Sequence, residues 1–220
     1  MTADPIRAVV FDLLTGLLDS WTLWNAVAGD AATGARWRQM YLRLTYAQGA
    51  YRPYLDLVAD AAVAAGLPAT LAGNLAREWH RLQPWPDVQA VLTELRAQIP
   101  LGVVTNCSTA LGTIAAERVG VPLDAVITAE AVGCYKPDRR CYLAVASALG
   151  VAPAEILFVA GSPFDIVGAS AAGMPVYWHN HAGQPIPDGL TVTAPYIERR
   201  DLADLRDIIR GGLGDRQRDR

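Results

Sequence analysis

Short, continuous runs of β-branched and apolar residues recur along the chain, and this pattern narrows the fold more than any other feature. The runs are "RAVVFDL" (7–13), "LGVVTN" (101–106), "DAVITA" (124–129), "ILFVAG" (156–161) and "PVYWHN" (175–180). A strand that is apolar on both faces needs cover on both faces, and such strands belong to parallel sheets whose crossovers are helices. Helical patterns lie between the later runs. In 87–97, Val88, Val91, Leu92 and Leu95 recur at i, i+3, i+4, i+7 behind Asp87 as a candidate N-cap. In 108–119, Ser108 or Thr109 caps a segment carrying Leu111, Ile114, Ala115 and Val119. In 137–149, Pro137 suits the first turn and Gly150 the stop. The expected fold is α/β, a Rossmann-like parallel-sheet core with helices on both faces.

One interval is too long for this scheme. The first run ends near residue 13 and the second begins near 101, so roughly 70 residues precede the helix at 87, where one crossover helix would suffice. The interval has helical patterns of its own at 34–50, 53–66 and 69–82. We expect an inserted helical cap domain over 20–83, with residues 1–19 and 84–220 forming the core. The insertion leaves from the end of the first strand and returns through "QPWPDV" (83–88). It would therefore sit above the carboxyl ends of the strands, where open α/β sheets bind ligands.

Composition supports a folded chain. Of 220 residues, 52% are hydrophobic and 19% charged, enough apolar material for a sizeable core. A net charge of -3 gives no reason to expect nucleic acid or an anionic membrane as partner. No apolar run approaches the ~18 residues of a membrane span, and "MTADPIR" lacks the basic and apolar regions of a signal peptide. Cys107, Cys134 and Cys141 form no CxxC pair and read as reduced thiols of a cytoplasmic protein. The tail "GGLGDRQRDR" reads as frayed.

Asp12 interrupts the apolar stretch "VVFDLLTGLLDSW" (9–21), and a lone buried acid is costly unless it is paired. Three other groups fall at or just beyond the ends of parallel runs, where the fold would gather them. "TNCST" (105–109) opens a helix whose backbone N–H groups suit an anion. "CYKPD" (134–138) presents Lys136, and "AGSPFD" (160–165) presents Asp165. A lysine between two carboxylates lets both stay ionised in a dry site. Singly, each has an ordinary explanation: Thr105 and Asn106 as turn residues, Lys136 as a surface charge, Asp165 as a helix cap. Their joint placement favours chemistry.

These residues resemble the haloacid dehalogenase superfamily of hydrolases over nearly the whole chain. Asp12 matches the nucleophile, Thr105 the second-motif Ser/Thr, Lys136 the third-motif lysine and Asp165 a fourth-motif acid. "RWRQ" (36–39) and "YKPDRRCY" (135–142) are similar to segments of the L-2-haloacid dehalogenase branch. That resemblance places Arg38 on a halide-cradling arginine, Tyr142 on a tyrosine of the lysine segment, Phe164 on an aromatic wall and Leu42 on an apolar cap contact. It implies substrate contacts from Leu14, Thr15, Gln39, Asn106, Cys107 and Ser162 as well. In the family the aspartate attacks C2 of a small carboxylate with inversion, and water hydrolyses the ester. No cofactor or metal is implied, and homodimers are frequent.

Departures from the branch leave alternatives open. Leu14 stands where dehalogenases have Tyr and where phosphatases of this fold have a second Asp. Gly161 stands where those phosphatases place an acid for Mg²⁺, which needs several oxygen ligands. Thr15 and Gly16 reverse the usual Gly-Thr order, and Ala160 and Ser162 replace Ser and Asn. An altered shell around a retained nucleophile also fits an azetidine-2-carboxylate hydrolase, which expels a ring nitrogen. A phosphatase and a non-catalytic small-molecule binder are the other readings. "HNH" (179–181) lacks a third ligand for a metal and reads as structural. Cys107 has no base placed for it and reads as a small buried thiol, and Trp37, Tyr41, Leu44 and Gln48 read as cap packing.

Overall fold

The computed structural model describes residues 5–211, so the first four residues and most of the frayed-looking tail lie outside it. Strand β1 (Ala8–Asp12) turns through one π-helical turn (Leu13–Leu17) into helices α1 (Ser20–Ala28), α2 (Ala31–Gln48), α3 (Tyr54–Ala64) and α4 (Leu71–Arg77), then a 3-10 turn (Trp79–Arg81). The chain continues as α5 (Val88–Arg96), β2 (Leu101–Thr105), α6 (Thr109–Arg118), β3 (Ala125–Thr128), α7 (Ala129–Val132) and α8 (Arg139–Leu149). It closes with β4 (Ile156–Ala160), α9 (Pro163–Ala171), β5 (Val176–His179), β6 (Tyr196–Arg199) and α10 (Leu205–Gly211).

The six strands form one parallel sheet in the order β3-β2-β1-β4-β5-β6. β1 lies between β2 and β4, with Asp12 opposite Val104 and Phe11 opposite Val159. The ends of these strands therefore open on one crevice. Side chains alternate across the sheet as the two-residue period requires. Val9, Phe11, Val103 and Val159 join the cluster with α5, α6 and α10, whereas Ala8, Val10, Val104 and Phe158 join the one with α8 and α9. Cap residues Trp24, Trp37 and Tyr41 belong to the same apolar cluster as Leu13 and Leu17, so the insertion packs continuously onto the core.

Two seams bind the insertion. At its stems Leu18 and Pro84 form an antiparallel bridge, with Asp19 N donating to Gln83 O (2.8 Å) and Trp85 N to Leu17 O (3.0 Å). At its far end Ala50 bridges Cys134, with Tyr51 N donating to Gly133 O (3.0 Å) and Tyr135 N to Gly49 O (2.8 Å).

Several local expectations need correction. Pro137 is not in the first turn of α8: it follows a cis peptide, and Asp138 caps the helix by accepting from Arg140 N. Asp87 makes no side-chain cap on α5; its Oδ2 accepts from Leu202 N (2.7 Å), tying the start of α5 to the chain before α10. Helix α1 and strand β6 were not expected. Ser108 does cap α6, and Gly150 ends α8 with φ +64°. Among the described residues no helix is long and apolar enough to cross a membrane.

Candidate active site

Asp12 is both the last residue of β1 and the N-cap of the turn that follows. Its Oδ2 accepts from Thr15 N (2.9 Å), Thr15 Oγ1 (2.5 Å) and Gly16 N (3.0 Å). Its Oδ1 accepts from Lys136 Nζ (2.7 Å). The two oxygens are thus unequal, one held by three donors and the other by one ammonium.

Lys136 is placed by its backbone. Asn106, just past β2, accepts from Lys136 N through Oδ1 (2.7 Å) and donates from Nδ2 to Lys136 O (3.2 Å). The ammonium also reaches Asp165 Oδ1 at 3.0 Å, and Tyr142 Oη donates to that same oxygen at 3.0 Å. Asp165 Oδ2 is buried and has no hydrogen-bonding partner among the described residues. Asp12, Lys136 and Asp165 are all buried, so these charges act on one another with little screening.

The electrostatics separate the two acids. Burial pushes the Asp12 carboxyl up, but the Lys136 charge and hydrogen bond, with the Thr15 donors, hold it below the usual range. Burial favours neutral Lys136, and the two carboxylates outweigh it and raise its pKa. Asp165 has fewer compensating donors; burial carries it up to about 6, Lys136 opposes this, and Asp12 adds to it. The result is one firmly ionised carboxylate and one poised to exchange a proton near neutrality.

Above this cluster lies a narrow cavity lined by Asp12, Leu14, Thr15, Thr105, Asn106 and Lys136 from the core and by Arg38, Tyr41, Leu42 and Tyr46 from α2. The Thr105 hydroxyl has no partner among the described residues. Arg38 is 1% exposed, its guanidinium carbon 4.8 Å from the Trp21 ring and 5.2 Å from the Trp24 ring. Its Nε and Nη1 have no acceptor among the described residues, so a buried cation offers donors with nothing to receive them.

Not every expected residue meets the cavity. Gln39 is exposed: one residue past Arg38 on a helix turns about 100° away. Cys107 is fully buried but does not line the cavity, and burial pushes its thiol far above the usual range. Tyr142 sits beneath the site and touches Asp165, not the cavity. Ser162 is buried with an unpartnered hydroxyl, and Phe164 stacks on Tyr46 at 4.5 Å; neither lines the wall. Two amides at the start of α6 are already engaged, Thr109 N donating to Glu130 (2.7 Å) and Leu111 N to Ser108 (3.4 Å).

Tyr41 and Tyr46 were missed as site residues. Tyr41 Oη donates to Asn106 O at 2.8 Å, joining cap to core. Tyr46 lies close enough to Asp165 and Asp12 that burial and those charges push its hydroxyl well above its ordinary range. Their spacing from Arg38 and Leu42 along one helix face was the available signal.

The donor set does not fit the Mg²⁺ of the phosphatases of this fold. The two carboxylates already share Lys136, Leu14 brings no oxygen, and a Cβ at Gly161 would run into the Gly16 amide nitrogen and the Thr15 hydroxyl. Among the described residues no group of three acidic, His or Cys side chains is gathered to hold a metal.

Comparison with known proteins finds relatives over most of the chain. Residues 6–173 match the model of the haloacid dehalogenase-like hydrolases. The (S)-2-haloacid dehalogenase H-109 of Pseudomonas putida is 28% identical over 94% of this chain and 99% of its own length. The (S)-2-haloacid dehalogenase 1 of Pseudomonas sp. strain CBS-3 is 31% identical over 83% of this chain and 88% of its own. The L-2-haloacid dehalogenase of Xanthobacter autotrophicus, solved with chloropropionic acid covalently bound, superposes with a TM-score of 0.80 at 26% identity, over 94% of this chain and 99% of that one. On the family match and the shared architecture, the chain belongs to the haloacid dehalogenase-like hydrolases.

Proposed function

We propose that the protein is a metal-independent covalent hydrolase of small L-2-substituted carboxylates, with a 2-haloacid as its substrate and residues 20–83 as the cap. The observation that carries this is the inequality of the Asp12 oxygens, Oδ1 having Lys136 as its one donor among the described residues, beside a cavity that Asp12 lines together with Arg38, whose Nε and Nη1 lack acceptors there. Oδ1 attacks C2 from the face opposite the halogen; the C–X electron pair leaves as halide, and C2 inverts. The Arg38 guanidinium, dry against Trp21 and Trp24, receives the departing anion. Thr105 Oγ1 and Asn106 meet the substrate carboxylate, while Leu14 and Leu42 bound the alkyl group.

In the ester, Oδ2 is the carbonyl oxygen and already has Thr15 N, Thr15 Oγ1 and Gly16 N directed at it. Asp165 Oδ2 takes a proton from water, whose oxygen adds to the Asp12 carboxyl carbon. The tetrahedral adduct then expels the 2-hydroxy acid oxygen, which takes the proton back. A relative crystallised with chloropropionic acid covalently bound supports this course.

A second reading keeps the attack but expels the ring nitrogen of azetidine-2-carboxylate. Its support is Tyr46, an aromatic face beside two carboxylates that suits a cationic nitrogen. The test offers both 2-chloropropionate enantiomers and azetidine-2-carboxylate, with and without chelator. Turnover of the (S)-haloacid to the inverted product, indifferent to chelator, is expected. Turnover of azetidine-2-carboxylate alone moves the assignment to ring opening, and activity that depends on Mg²⁺ moves it to a phosphatase.

A further inference from the structure

The "HNH" segment and the return linker of the cap take no part in the steps above, yet both end beneath the nucleophile. Trp85 Nε1 donates to the Thr15 carbonyl at 3.0 Å, and the N–H of that same peptide unit, on Gly16, donates to Asp12 Oδ2 at 3.0 Å. His179 Nδ1 lies 2.7 Å from the Gly16 carbonyl; a carbonyl only accepts, so Nδ1 carries the hydrogen. His181 lies over the Trp85 ring, centroids 4.1 Å apart and planes 29° apart, and holds the indole in its plane. Trp85 is 9% exposed and His179 1%, so both bonds are shielded from water.

Gly16 has no side chain through which its conformation could be set. Its two flanking peptide planes are instead fixed from outside, one by Trp85 and the other by His179. We propose that Trp85 and His179 are positioning residues for Asp12, a relay that holds the Gly16 amide on Oδ2 and polarises it. This rests on the aspartyl-ester reading above. A hydrogen-bonded peptide donates more strongly than a free one, and the gain is largest when Oδ2 becomes negative as water adds to the ester. The relay therefore serves ester hydrolysis more than halide displacement.

Trp85→Phe keeps a ring for His181 to stack on and removes the N–H. His179→Leu removes the second donor, and His179→Asn restores one near the Nδ1 position. With (S)-2-chloropropionate, Trp85→Phe and His179→Leu are expected to lower kcat about tenfold, less than the ~10²–10³ of deleting a whole oxyanion donor. KM falls with kcat, and ester-bearing enzyme accumulates in intact-protein mass spectra. His179→Asn recovers most of the loss. Independently of any substrate, the Gly16 amide proton moves upfield in the NMR spectrum of Trp85→Phe. Unchanged kcat and no ester build-up in both donor-less variants, or an unmoved Gly16 resonance, overturns the relay. If the wild type turns over none of the acids offered, the ester reading falls, and the Gly16 resonance decides the relay alone.

Discussion

Replacing Lys136 with methionine isolates what the ammonium does, because an unbranched side chain one atom shorter remains while the charge and its N–H donors to Asp12 and Asp165 are lost. The nitrogen stands 2.7 Å from Asp12 and 3.0 Å from Asp165. At an effective dielectric of about 20 each contact is worth about 5.5–6 kcal/mol before the ammonium's own desolvation is subtracted. If only a quarter of the pair's total survives that subtraction, about 3 kcal/mol remains, or about two pKa units on the carboxylates. One of the two acids in Lys136→Met then holds a proton at neutral pH. The acid that does so is Asp165, already raised to about 6, whose folded pKa rises further above its unfolded one. The carboxyl contribution to stability is therefore full at low pH and is lost as pH rises through the raised folded value. Melting temperatures from pH 5 to 8 should fall more steeply for Lys136→Met than for wild type, and adding Asp165→Asn should flatten the curve again. Turnover of 2-chloropropionate should drop, about tenfold at pH 7 from protonation of Asp165 alone, since the protonated acid cannot take a proton from water. Superimposable melting profiles for variant and wild type would refute the view that Lys136 keeps two acids charged.

Asp12→Asn should abolish turnover while the protein stays folded; in wild type turning over in heavy-oxygen water, mass spectrometry should find label in the Asp12 carboxylate, and label in product with none in protein after one turnover points to direct attack by water. The rate should climb with pH along a limb near 6, where Asp165 ionises to become a base, and ester should accumulate below it. Tyr142→Phe, removing a donor to the Asp165 carboxylate, should move that limb to higher pH, and a limb that stays in place excludes Asp165 as its origin. Arg38→Ala should lower kcat and raise KM on a 2-haloacid, together about 3 kcal/mol, whereas a change confined to KM would mean that Arg38 only grips the carboxylate.

The core and its charges were legible because they depend on strand ends. A parallel sheet brings the residues after β1, β2 and β4 to one edge whatever the helices do, so Asp12, Thr105 and Asp165 could be gathered from spacing alone. The cap was legible as an interval too long for one crossover. Its inward face was only half so: Arg38 and Leu42 came from the "RWRQ" resemblance, which brought Gln39 with them although a helix turns it to solvent. Tyr41 and Tyr46 share a helix face with Arg38 and Leu42, a spacing the sequence carries, but that this face meets the cavity depends on how α2 docks. Helix α1 was hidden because it is short and continues an apolar run from the turn, and only Ser20, Leu23 and Trp24 are buried, too few to mark a helical face. β6 was hidden for the opposite reason: a short edge strand with Glu198 and Arg199 exposed shows no apolar alternation. Trp85 and the two histidines had a structural signature at most, since only the fold shows which carbonyls they reach.

The second seam of the cap bears on traffic through the site. A plate hinged along one edge swings freely, but one stitched along two edges stays down until a stitch is cut. The two backbone bonds joining Gly49 and Tyr51 to the 133–135 stretch are each worth about 0.5–1.5 kcal/mol net, so parting both costs roughly 1–3 kcal/mol. Opening must also part the Tyr41–Asn106 bond and the apolar contacts that carry the cap onto the core, so the cap rests closed. Because the stitch ends one residue short of Lys136, each cut also slackens the segment that aims the ammonium. The seating of the cap and the aim of the lysine are thereby one mechanical unit.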